Sequence, residues 1–249
     1  MPNAPLICWQ NLVTETNITT TIANPVNPVQ NAANPQTYSV YRPGSASNFS
    51  ITIATGGVAV DYVGLVVSDG ATVGDIGIRA DIGGTIVDIV DKAPVEAARA
   101  LLYKFETIEA DSIIIDFEGH LSSIQIGVVR VGESTPMQRR IYVGHTPVTM
   151  GRRQTIVGGM SENGQYIGEI VRRRSNATQI SLQNLTADWY RDNIEPMLDQ
   201  VPLEPFFFSW RPDSYGGEVG YCWLTQMPQP SNQRSNGMMQ IDMAVEAIV

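Results

Sequence analysis

The sequence predicts a mainly β protein built as two β-sandwiches, the second carrying one flanking helix. Three observations lead there. Short runs of β-branched and aromatic residues recur along the chain, separated by Gly, Pro and Asn turn signals roughly every eight to twelve residues. Helical spacing is clear in one interval only, near 187–201, where Tyr190, Ile194, Met197, Leu198 and Val201 form an apolar stripe opposite Arg191, Asp192, Glu195 and Asp199. The charge also shifts along the chain: residues 1–135 hold 14 acids against 6 bases, whereas 136–249 hold 11 against 10. The expected organisation is therefore a jelly-roll-like sandwich over 1–135 and a second sandwich over 136–249, meeting in the polar stretch 132–140.

In the first part, the Thr-rich stretch Thr14–Ile22 suits a strand. The Asn-Pro repeats from Asn24 to Pro35 suit a loop, because proline breaks both helix and ladder. Tyr38–Tyr41 and Phe49–Ile53 alternate with period two, as half-buried strands do, and Tyr62–Val67 is a continuous apolar run of the kind found inside a sandwich. Strands are expected at Gly74–Ala80 and Thr85–Val90 around the Gly83-Gly84 turn. Pro94–Phe105 reads equally as helix, from its alanines and leucines, or as strand, from its neighbours. Ser112–Phe117 and Ser123–Val129 close the sandwich.

In the second part, strands are expected at Ile141–Gly144, Gln154–Val157, Tyr166–Val171 and Gln179–Leu182, with a tight hairpin at Asn163-Gly164. Thr186 is placed to cap the helix and Pro196 to kink or split it, while Pro202 and Pro205 end it. Phe206-Phe207-Phe208-Ser209-Trp210 reads as a buried strand. Alternation puts Phe206, Phe208 and Trp210 on one face, the core of the second sandwich, and Phe207 on the other. Val219–Leu224 and Met238–Val245 supply the last strands.

Composition narrows the function. A net charge of −9 argues against a general nucleic-acid binder. Cys8 and Cys222 lie far apart and only two histidines are present, so zinc and iron–sulfur sites lack a ligand set and no metal or cofactor is expected. The N-terminus lacks a signal-peptide pattern, and no apolar run reaches the ~20 residues of a membrane span. No catalytic residue stands out. Gly159–Asn163 lacks the closing glycine of a nucleophile elbow, His120 and His145 have no telling partner, and Asp111, Asp116 and Glu118 read better as solvated strand residues than as glycosidase carboxylates.

The arginines are more informative, since lysine is nearly absent (Lys92 and Lys104). Arg139-Arg140, Arg152-Arg153 and Arg172-Arg173-Arg174 all fall in the second part. They read either as a solvated face or as a subunit interface, with Arg152, Arg153, Arg172, Arg173 and Arg174 as its candidates, facing a neighbour's acids or a lumen through which DNA passes.

Residues 11–131, with Asn11-Leu12-Val13, Asp61-Tyr62-Val63-Gly64-Leu65 and Ile124-Gln125-Ile126-Gly127, resemble the galactose-binding-type jelly rolls of phage structural proteins. Residues 141–249, with Tyr142-Val143-Gly144, Asn163–Gly168, the helix from Thr186 and Pro205–Trp210, resemble the tail-tube-type sandwich of distal tail proteins from long-tailed, non-contractile phages. In many of those proteins the tube-like domain comes first; here the order is reversed. The resemblance implies a virion structural protein, made in the host cytoplasm and incorporated in the tail. It would form an oligomeric ring, usually a hexamer, that joins the tail tube to the tip or baseplate. A carbohydrate-recognition module directed at host-surface glycan is the alternative, and a cell-wall hydrolase using Asp116 or Glu118 is a third reading.

Overall fold

The computed structural model describes residues 4–44, 48–68, 73–95, 100–119, 124–141, 144–201, 204–233, 235 and 237–249. In chain order the strands are β1 (Leu6–Cys8), β2 (Ile18–Thr20), β3 (Phe49–Ala54), β4 (Ala59–Ser68), β5 (Val73–Ile82), β6 (Thr85–Val95), β7 (Ala100–Glu109), β8 (Ser112–Glu118), β9 (Gln125–Gly132) and β10 (Thr135–Pro136). There follow β11 (Arg152–Met160), β12 (Tyr166–Leu185), the helix α1 (Ala187–Gln200), β13 (Phe206–Ser209), β14 (Val219–Leu224), β15 (Ser231–Asn232) and β16 (Met239–Ile248). The protein is thus mainly β, and its strands pair antiparallel.

Among the described residues the strands make three sheets: β2-β3-β8-β5-β6, β7-β4-β9, and the large sheet β10-β1-β13-β14-β16-β12-β11, with β15 beside β16. The apolar side chains dictate how these stack. Ile51, Ile53, Ile113, Ile115 and Phe117 of the first sheet pack on Val63, Leu65, Val129 and Val131 of the second. The other face of that second sheet gives Tyr62, Val66, Ala100 and Val128 to a junction core with Leu6, Cys8, Phe207, Val219 and Tyr221 of the large sheet. The far face of the large sheet, through Ile180, Leu182, Phe206, Phe208, Ile241 and Met243, is covered by Tyr190, Ile194, Met197 and Leu198 of α1. Five strands, three strands, the large sheet and one helix therefore lie in succession.

This layering explains the continuous apolar run at Tyr62–Val67: a strand buried on both faces has no polar side to alternate with. Gly64 is required there, because a Cβ would collide with the Phe207 ring, which lies over it.

Several expectations change. Placing residues 1–135 in one module puts Leu6–Cys8 there, but β1 lies between β10 and β13 in the large sheet. Three residues between Pro5 and Trp9 are too short a run to carry a strand pattern. The stretch 132–140 is a tied crossing: Ser134 N and Oγ donate to Asp61 at 2.6 and 3.0 Å, and Met137 N donates to Pro5 O at 2.8 Å. Tyr38–Tyr41 makes one isolated bridge, Tyr41 to Ile126, instead of a strand. Within Thr14–Ile22 only Ile18–Thr20 is a strand, and Val29–Ala33 of the proline-rich loop forms a short 3-10 helix.

The ambiguous interval 94–105 is strand on both sides of the undescribed residues 96–99. No strand forms at Ile141 or Gly144; Tyr142 and Val143 lie outside the described residues, as do Pro202 and His120. Trp210 follows the end of β13. The helix runs on through Pro196, which is exposed, so the carbonyl it leaves without a partner faces water. Thr186 stands at the N-cap without a side-chain cap bond. Gln138 grips it instead, accepting from its N–H at 2.8 Å and donating to its hydroxyl at 2.9 Å.

Candidate assembly surface

The largest departure from the expected strands lies in the second half. Tyr166–Val171 and Gln179–Leu182 belong to one 20-residue strand, β12. Its later part, from Asn176, pairs with β16, whereas its earlier part pairs, among the described residues, with β11 only. The hairpin β11–β12 is therefore a two-stranded arm that leaves the sheet, and every residue of β11 is exposed. At the tip, Ser161 N donates to Gln165 O at 2.8 Å, Gln165 N donates to Ser161 Oγ at 3.0 Å, and Gly164 takes a φ of 75°. Ser161 is thus a turn residue. At the root, Asn176 Nδ2 donates to Val148 O at 2.9 Å and Thr149 O at 3.2 Å. A side chain at Gly151 would strike the Ala177 carbonyl.

The arm's composition is unlike that of a solvated ribbon. Ile156 pairs with Val171 on one face and Val157 with Ile170 on the other. Ile156 and Val157 are each 50% exposed, Ile170 is 72% exposed, and Met160, Tyr166 and Ile167 at the tip are exposed by 70% or more. A two-stranded ribbon is marginal alone in water, and apolar residues on both of its faces add a need for cover.

The five candidate arginines gather on this arm. Arg152 and Arg153 lie at the root of β11, with Arg153 Nη1 3.8 Å from Glu246 Oε1. Arg172 is exposed on β12, where the ladder shifts register opposite Thr155 and Ile156. The backbones of Arg173 and Arg174 pair with Thr155 and Gln154; their side chains lie outside the described residues. Arg139 is elsewhere, its Nε donating to Asn184 O at 3.3 Å. Phe206 and Phe208 are wholly buried under the helix, and Trp210 is half-buried at the edge of that core, stacked on Tyr215 at 6.1 Å.

The residues weighed for catalysis are engaged otherwise. Asp116 accepts from Arg79 at 2.5 and 2.8 Å and from Ser50 Oγ at 2.8 Å. Burial raises its pKa, but those bonds outweigh it and hold the carboxyl below its usual value, the wrong direction for a general acid. Glu118 pairs with Lys92, and Asp111 accepts from Gly83 N at 2.8 Å. His145 lies between Phe208 and Trp210, at 6.0 and 5.4 Å, where burial pushes its pKa down. Cys8 and Cys222 are free and buried, their pKa values raised by desolvation. Among the described residues no group of three His, Cys, Asp or Glu gathers, and no helix is long and apolar enough to cross a membrane.

Two features carried no sequence signal. Asp61, buried, holds Lys104 Nζ at 2.5 Å as well as Ser134. Arg130, 3% exposed, reaches across the junction to Glu204 at 2.7 Å. Beside Lys104 a cleft of about 300 Å³ opens between the sheets, lined by Val90, Leu102, Tyr103, Lys104, Ser209 and Asp213 among others, and the Ser209 hydroxyl is buried without a hydrogen-bond partner among the described residues.

No protein-family model matches this chain, and no curated protein matches it. Among solved structures, chitosan-binding module 1 from a chitosanase/glucanase of Paenibacillus sp. IK-5 aligns at 11% identity over 49% of this chain and 98% of its own, with a TM-score of 0.44. The Clostridium perfringens module CpGH89CBM32-5, in complex with GalNAc-β-1,3-galactose, aligns at 15% identity over 47% and 96%, with a TM-score of 0.41. The CBM32 module of AlyQ, in complex with 4,5-unsaturated mannuronic acid, aligns at 15% identity over 50% and 96%, again with a TM-score of 0.41. These three are carbohydrate-binding modules rather than phage tail proteins, and each matches about half of this chain.

Proposed function

We propose that this chain is a structural subunit that assembles with copies of itself into a closed ring, as a distal component of a phage tail. In that reading it acts by position and shape, without catalysis or cofactor. The ring, a hexamer by resemblance, joins the tail tube to the tip or baseplate proteins, with DNA only as cargo in its lumen. One observation carries the reading: the basic arm exposes apolar residues on both faces, a surface that an isolated monomer leaves in water. Sedimentation and native mass of the purified protein test it. A discrete multimer that weakens as salt rises is the expected result, because exposed arginine contacts are screened. A strict monomer at high concentration in both low and high salt removes the reading.

Carbohydrate recognition is the second reading, and the junction cleft favours it. Its lining of Val90, Leu102 and Val219 with Tyr103, Lys104, Asp213 and a Ser209 hydroxyl that has no hydrogen-bond partner among the described residues is the mixed lining a sugar ring requires. Glycan-array binding that is lost in Tyr103→Ala supports this reading; an array without signal counts against it.

A further inference from the structure

We propose that the free edge of β11 in one copy pairs with the free edge of β6 in the next, so that the basic arm lies along an acidic strand of its neighbour. This rests on the assembly reading above and names the surface that assembly uses. β11 ends the large sheet and β6 ends the five-stranded sheet, so among the described residues each presents one side of its backbone without a ladder partner. Such edges are normally blunted by proline, lysine or short length. β11 is 9 residues long and β6 is 11, and β11 contains neither proline nor lysine. On β6 the blocking residues, Lys92 and Pro94, sit at the far end and leave Thr85–Asp91 open.

The two edges are complementary in charge. The arm from 152 to 174 has five arginines against Glu162 and Glu169, whereas Thr85–Asp91 has Asp88 and Asp91 and no base. The apolar residues match in kind as well. Ile86 and Val87 of β6 are 54% and 42% exposed, and Ile156 and Val157 of β11 are each 50% exposed. Pairing would cover these side chains and satisfy the edge N–H and C=O groups in one step. The two strands belong to different sheets of one chain and do not pair within it, so the partner is a second copy. A contact between two different surfaces repeats from copy to copy, and closes into a ring when the rotation allows.

Sedimentation velocity at low salt on two reversed variants tests the pairing. Asp88→Arg/Asp91→Arg makes both edges basic, and Arg152→Asp/Arg153→Asp makes β11 acidic to match β6. Each variant alone should repel itself and sediment as monomer, with the assembly concentration raised more than ~10-fold. Mixed in equal amounts, they should form a multimer again, because each edge then meets its opposite. The recovery in the mixture also shows that both variants are folded. If the mixture stays monomeric, or if the β6 variant assembles like the native chain, the pairing is wrong. Replacing residues 155–170 by a short turn then separates the two ideas: loss of the multimer keeps the arm as the assembly element and rejects β6 as its dock. A native chain that is itself monomeric overturns both.

Discussion

Two ribbons of this protein carry apolar residues on both faces, and the chain treats them oppositely. In β4, Val63 and Leu65 face one core while Tyr62 and Val66 face another, and all four are buried. In the arm, the pairs Ile156–Val171 and Val157–Ile170 likewise face opposite ways, yet each of these residues is exposed. The same pattern of hydrophobicity therefore has two outcomes, decided by whether the fold supplies a layer on each side. Where it does, the run is core. Where it does not, the run stays exposed on the single chain, and cover from another copy is what the assembly proposal supplies.

The contrast can be broken most forcefully at β13, whose alternate residues serve two cores. Phe208→Ala empties the core beneath α1, and Phe207→Ala empties the junction over Gly64. Truncating a buried Phe costs about 3–5 kcal/mol. Urea unfolding should show Phe208→Ala lowering the stability of the large sheet and its helix while sparing the five-stranded sheet. Phe207→Ala should uncouple the two parts, so that one transition becomes two. Equal single transitions in both variants would mean that the junction and the helix core are one cooperative unit.

A smaller effect is expected where charge crosses the same junction. Arg130 is buried and Glu204 Oε2 accepts from it, while the guanidinium Nε and Nη2 make no hydrogen bond among the described residues. Glu204→Gln leaves a buried cation with a neutral partner, and a hydrogen bond to a charged group is worth about 1.5–3 kcal/mol. Arg130→Met, which removes the buried charge altogether, should cost less than Glu204→Gln. A double-mutant cycle read by chemical denaturation checks the order; the reverse order would show that Glu204 serves some contact other than Arg130.

How much of this was legible in the sequence follows from the same distinction. The helix stripe, the split of Phe206 and Phe208 from Phe207, and the β-rich class all come from periodicity, which reports which side of an element is covered. The stacking of the two parts was hidden because β1 is three residues long and its partner β13 lies some 200 positions away in the chain. Asp61 and Arg130 were hidden for another reason: nothing in a sequence separates a buried ion from a solvated one. In the sequence β12 reads as two short strands, Tyr166–Val171 and Gln179–Leu182, because Arg172-Arg173-Arg174 interrupt an apolar alternation. Backbone pairing carries on through them regardless.

Acid should expose a further difference between the parts. Asp116 in the five-stranded sheet and His145 beside the helix core both have pKa values held below normal, by the bonds from Arg79 and Ser50 against burial in the first case and by burial in the second. A depressed folded value stabilises above the unfolded pKa and is lost as pH falls through the folded one. Stability should therefore begin to decline below about pH 6.5 as the unfolded His145 protonates, and decline again below about pH 4 through Asp116. His145→Phe should remove the first step and leave the second, as read from urea midpoints between pH 7 and 3. An unchanged first step would assign it to another group.

The smallest effect on folding is expected in the arm, and it is the most informative for the comparison. Ile170 is 72% exposed, and it pairs with Val157 where, among the described residues, β12 has no ladder partner besides β11. Replacing it by Ser removes almost nothing from the monomer's core, and surface changes of this kind stay within about ±0.5 kcal/mol. The same substitution in β4, Leu65→Ser, strips a fully buried side chain and should be among the most destabilising in the chain. If the arm's apolar residues exist to be covered by another copy, Ile170→Ser should weaken assembly in sedimentation while leaving the urea transition, measured at a concentration where the native chain is monomeric, where it was. A loss of monomer stability comparable to that of Leu65→Ser would place Ile170 in a core of its own chain, and the two ribbons would then have been treated alike after all.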